Sequence, residues 1–151
     1  MAGAQTAGFI QTHLQTKVVN YGQAVRFVLE AADVNGSYNK SNEQDPARFA
    51  VEKKWLPEKA LPQDPITLEK LSRLIIKAFG LKGGIMYSLF NSAHYSYCEL
   101  VYRDIIQGRS DPQMKVTGGK MFFIISRLLY LADENPWTFV TTESVLPEDT
   151  L

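Results

Sequence analysis

A helix start recurs three times along this chain of 151 residues. Val19-Asn20, Ile66-Thr67 and Val116-Thr117 each pair an apolar residue with a residue whose side chain can cap a helix, and a helical apolar pattern follows each pair. Asn20 and Thr67 lie 47 residues apart, Thr67 and Thr117 50 apart. Repetition at such a spacing marks stacked copies of one supersecondary unit, none of which buries its apolar face alone.

The chemistry of the repeated element predicts three helices, near residues 20–34, 67–81 and 117–131. A side-chain oxygen on Asn20, Thr67 or Thr117 would accept a hydrogen bond from a first-turn N–H that the helix itself leaves unpaired. The apolar residue before each cap, with Ala24, Leu71 or Met121 five positions on, forms a hydrophobic staple that sets the entry angle of the chain. The stripes Ala24, Phe27, Val28, Ala31; Leu71, Leu74, Ile75, Ala78; and Met121, Ile124, Ile125, Leu128 have the 3–4–3 spacing of one helical face. Gly80 is placed to stop the second helix in a left-handed conformation.

The intervening segments repeat too. Asp45-Pro46 begins a short helix that ends before Pro57, with Asp45 as cap and Pro46 in the first turn. Ser92 to Gly108 reads as its longer counterpart, and Val51 and Trp55-Leu56 map onto Val101 and Ile105-Ile106. Turns follow at Pro62-Gln63-Asp64-Pro65 and Gly108 to Pro112. Asn35 to Gln44 reads as a polar loop, Gly83-Gly84 opens a turn through Phe90, and residues 133–151 read as a tail that packs through Trp137 and Phe139. The expected architecture is therefore one all-α repeat domain over residues 1–151.

The order Leu100-x-x-x-Asp104-Ile105-Ile106-Gln107-Gly108-Arg109-Ser110-Asp111, then Val116-Thr117 and an apolar helix, resembles the S-layer homology repeat. That family's pattern is L-x-x-x-G-I-I-x-G-x-x-D-G-x-F, then I-T-R-A-E, then a helix; Ile66-Thr67 matches the second part again. The resemblance covers Asn20 to Leu131. It implies a pseudo-threefold bundle of about three helix–loop–helix repeats in the bacterial cell envelope or periplasm, anchored non-covalently to cell-wall polysaccharide. The departures fall on the letters that would hold such a ligand. The arginine of T-R-A-E, at the first helical position, is replaced by Tyr21, Leu68 and Gly118, and its glutamate by Gln23, Lys70 and Lys120. The loop's Asp-Gly becomes Asp111-Pro112.

Composition narrows the function classes. With 16 basic and 16 acidic residues the formal net charge is zero, and no basic stripe marks a nucleic-acid partner. A single cysteine, Cys98, excludes an internal disulfide and a thiolate cluster; it reads as a small buried apolar residue. His13 and His94 lack the spacing of a metal site. No apolar run is long enough to span a bilayer. Met1-Ala2-Gly3-Ala4 lacks the charged and apolar regions of a signal peptide, so an exported protein would be represented here by its mature part. No nucleophile–base pair, phosphate loop or paired carboxylates stand out, so no catalytic residue, metal or cofactor is expected.

Two readings of the candidate residues stay open. Arg26 and Arg73, at equivalent positions, either line anion-binding grooves or pack their stems and bond loop carbonyls. Tyr95 and Tyr102 either stack on a ligand or cover the core, while Tyr97, Val101 and Ile105 are assigned to a core face by i, i+4, i+8 spacing. The helix at 118–131 is apolar nearly all round, and its surplus, Phe122 and Phe123, must meet either the tail through Trp137 or a second chain. The function expected is that of a non-enzymatic envelope module docking through protein–protein contacts or self-association. The alternative is a cell-wall glycan or peptidoglycan binder with a rearranged groove.

Overall fold

The structure, a computed structural model, describes residues 11, 14–34, 46–81, 92–108 and 110–134. Among these the fold is all-α: α1 (Tyr21–Val34), α2 (Pro46–Glu52), α3 (Leu68–Phe79), α4 (Ala93–Tyr102) and α5 (Gly118–Glu134). The described residues form no strand, only two isolated antiparallel bridges, Asn20 with Pro65 and Thr67 with Lys115.

The starts of α1, α3 and α5 are each held twice, once by a cap and once by a distant loop. Gln23 N–H donates to Asn20 Oδ1 at 2.8 Å, and Asn20 N–H donates back to Gln23 Oε1 at 3.1 Å. Gln23, a departure from the repeat pattern, thus completes a reciprocal capping box. Thr67 accepts from Lys70 N–H at 3.4 Å and Thr117 from Lys120 N–H at 3.1 Å. The remaining first-turn amides reach across the fold. Tyr21 N–H donates to Asp64 O and Gly22 N–H to Pro62 O, both at 2.9 Å. At the start of α3, Leu68 N–H donates to Met114 O and Glu69 N–H to Pro112 O, again at 2.9 Å. Gly118 N–H donates to Thr16 O at 2.8 Å, so the three segments preceding α1, α3 and α5 bond in cyclic order. At the centre, Val19 N–H donates to Val116 O and Ile66 N–H to Val19 O, and all three side chains are fully buried.

The stripes read from the sequence supply much of one core. Leu71, Leu74, Ile75 and Ala78 of α3 are buried, as are Ala24, Phe27 and Val28 of α1 and Met121, Ile124, Ile125 and Leu128 of α5. α3 packs against α1 and α4, and α1 also against α2 and α5. Gly80 stops α3 in the left-handed region (φ 63°, ψ 35°), its N–H bonded to Ile76 O and Lys77 O.

Three expectations are corrected. α4 does not run to Gly108 but ends at Tyr102, because Asp104 turns left-handed (φ 63°) and Ile105 and Ile106 N–H both bond back to Leu100 O. Lys54 (φ 62°) makes the same turn after α2, with Trp55 and Leu56 N–H on Ala50 O. The buried face of α4 is Ser96 and Leu100, not the face of Val101, which is 40% exposed, whereas Tyr97 is half-buried and packs against the core with its hydroxyl on Ser110 O at 2.9 Å. Cys98 is exposed rather than buried, its Sγ 3.7 Å from His94 Nε2. In addition α5 continues past Leu131 to Glu134. The expected cap Asp45, the loop from Asn35, the Gly83-Gly84 turn and His13 lie outside the described residues.

The two kinds of cap predict different losses. Asn20→Ala, which removes a short cap bond of 2.8 Å, should lower stability by about 1–2 kcal/mol, and Thr67→Ala, which removes a long one of 3.4 Å, by about 0.5–1 kcal/mol; chemical denaturation of both variants checks the order. Lys54→Gly relieves a left-handed non-glycine residue and should raise stability by about 0.5–1 kcal/mol in the same measurement.

Candidate functional site

The described residues of α1, α2 and the loop before α3 enclose an open groove of about 370 Å³, lined by Asn20, Gly22, Gln23, Arg26, Pro46, Ala47, Pro62 and Gln63. The capping box positions Asn20 and Gln23 on its rim. Gly22 allows the loop to approach closely: a Cβ there would meet Pro62 O at 3.3 Å, and Gly22 N–H bonds that same oxygen. Arg26, one turn further along α1, is exposed and makes no hydrogen bond or ion pair with a described residue.

Arg73, its sequence equivalent, behaves differently. Its Nε and Nη2 donate to Lys54 O at 3.3 and 3.1 Å, clamping the left-handed turn after α2. In α5 the matching task falls one helical turn later, to Arg127, whose Nε donates to Asp104 O at 3.2 Å and whose Nη2 pairs with Asp104 Oδ2 at 2.9 Å. The glycine of the repeat pattern that aligns with Asp104 is the signal that would have revealed this turn.

The first helical position of α1, where the repeat pattern carries arginine, holds Tyr21, which is 8% exposed. Burial raises its phenol above the ordinary value of 10.0, and the charges of Asp64 and then Glu69 raise it further. Glu69 is itself buried and accepts from Gln113 Nε2 at 2.6 Å; Asp64 accepts from Leu61 N–H at 3.3 Å. An anion brought here would meet two carboxylates instead of a guanidinium. Nor are the amides open to it. The first three N–H groups of α1 and of α3 all have protein acceptors, so neither helix start offers the exposed nest that binds anions elsewhere.

The other candidates are scattered. None of Arg73, Tyr95 and Tyr102 lines the groove of Arg26. Tyr95 is half-buried at the start of α4, edge-on to His94 with ring centroids 5.6 Å apart; its N–H donates to Ser92, a cap not foreseen from the sequence. Tyr102 is 87% exposed. Phe122 packs edge-to-face on Phe27 at 6.2 Å, whereas Phe123 is 55% exposed, and Trp137 lies outside the described residues. No group of His, Cys, Asp and Glu able to hold a metal occurs among the described residues, and no described helix is long and apolar enough to cross a membrane.

The Tyr21 phenol has a pH signature. Its folded-state pKa is raised, so the neutral form is favoured in the fold, and the stability this represents is complete below pH 10 and lost as pH rises through the folded value. Tyr21→Phe should therefore lose less stability than the parent chain between neutral pH and about pH 11, as read from denaturation midpoints across that range. Compared with known proteins, the chain matches no protein-family model, no curated protein and no solved structure.

Proposed function

We propose that this chain is a non-enzymatic interaction module built from about three S-layer-homology-like repeats in a pseudo-threefold bundle. In this reading it works in the cell envelope or periplasm, docking a surface or periplasmic assembly through protein–protein contacts. The repeat reading is supported by the cyclic hydrogen bonds between pre-helix segments and by the matching left-handed turns at Lys54 and Asp104. Protein docking is favoured over wall-polymer anchoring by Tyr21, which puts a buried phenol beside Asp64 and Glu69 where the family pattern has an arginine.

The observation that carries the docking reading is a set of exposed aromatic side chains, Phe123 and Tyr130 flanking Arg127 on α5 and Tyr102 at the end of α4. Arg127 lies 6.0 Å over the ring of Tyr130, and Tyr130 is 55% exposed. Phe123 sits one turn before Arg127 on α5, and Tyr102 lies two residues before Asp104. Exposed aromatic side chains together with an arginine have the composition of protein–protein hot spots.

The double variant Tyr102→Asp/Phe123→Asp tests this. Pull-down from envelope extract and sedimentation equilibrium of the purified chain should show a partner or a self-associated form that the variant weakens by about tenfold or more, with an unchanged melting temperature. A parent chain that instead co-sediments with purified cell-wall sacculi, equally well with and without the two substitutions, would establish the glycan reading in its place.

A further inference from the structure

We propose that the groove beside Arg26 is a second docking site, which takes an extended acidic peptide segment of a protein partner. The inference rests on the reading of the chain as a protein-docking module and names the chemistry of one partner.

The lining is rich in donors. The side-chain oxygens of Asn20 and Gln23 are committed to the capping box, accepting Gln23 N–H at 2.8 Å and Asn20 N–H at 3.1 Å. What these two residues have left for the groove is their amide N–H groups. Gln63 adds a third side-chain amide, and Arg26 adds a guanidinium with no partner among the described residues. None of the described residues that line the groove is acidic. A ligand matched to this surface is rich in acceptors and carries a carboxylate that the Arg26 fork can grip in two places.

The apolar part of the lining selects among such ligands. Pro46, Ala47 and Pro62 supply it, and none of the described lining residues is aromatic. A sugar acid would find no flat face to stack on. An extended peptide needs none: its carbonyls take the side-chain amides, its Glu or Asp takes Arg26, and its other side chains rest on the pyrrolidine rings. The volume of about 370 Å³ is at the small end for a ligand site and suits a few residues rather than a folded surface. The site does not draw on the first three amides of α1, which are already bonded within the protein.

The test uses the full chain and a blocked, fluorescently labelled Glu/Ser oligopeptide, with its Gln/Ser isostere and galacturonate as the other arms. Binding is followed by anisotropy and located by amide shifts in two-dimensional NMR. The acidic peptide should bind and shift the Gly22 amide and the Asn20, Gln23 and Gln63 side-chain amides. Arg26→Gln should weaken it by about tenfold or more, with no change in melting temperature, and Arg26→Lys should restore only part of the affinity because the fork is gone. Tyr102→Asp/Phe123→Asp should leave it intact, which separates this site from the exposed aromatic side chains of α4 and α5. No binding of the acidic peptide at about 1 mM, equal binding of the isostere, indifference to Arg26→Gln, or galacturonate binding in the peptide's place would each overturn the proposal.

Discussion

The fold depends on where the first-turn amides of its long helices go. A helix leaves its first N–H groups without internal partners, and a buried one left unpaired is costly. Here one amide of each of α1, α3 and α5 is taken by a side-chain cap, while carbonyls of the loop preceding the next helix in cyclic order, or of Thr16 for α5, take others. Helix termination and interhelix attachment thus become one interaction. Val19, Ile66 and Val116 make the joint dry, because each is fully buried. In a low-dielectric centre the same bonds are stronger and their loss more expensive.

This arrangement also governs what the surface can bind. A helix start whose amides are spent on the fold cannot cradle an anion, so near α1 only side chains are left to meet a charge. There the two sides of the helix start differ. Tyr21 sits with Asp64 and Glu69, in a setting that disfavours negative charge. Arg26, one turn on, faces an open groove edged with side-chain amides. Opposite electrostatic environments thus lie within two turns of one helix.

The left-handed turns at Lys54 and Asp104 share one kind of support. Non-glycine residues are strained there, yet an arginine bonds the carbonyl of each: Arg73 in one case, Arg127 in the other. The clamp comes from different turns of α3 and α5, so the function of the bond persists while its sequence position moves. Arg73 is thereby committed to the fold, and Arg26 is left without that task.

Local patterns determined the helix starts, the buried stripes of α1, α3 and α5 and the stop at Gly80. Caps, staples and apolar spacing act over three to five residues, within one element, and can be read without knowing the rest of the chain. Tertiary structure alone decided which face of α4 turns inward, why Cys98 and Val101 stay exposed, and why Arg26 and Arg73, equivalent in sequence, have different partners. It also decided that Gln23, a departure from the repeat pattern, would complete a cap and help line a groove. The reason is physical distance along the chain: Tyr21 meets Asp64, Glu69 meets Pro112 and Gly118 meets Thr16 only after loops of dozens of residues have closed. No pattern confined to one helix carries that information.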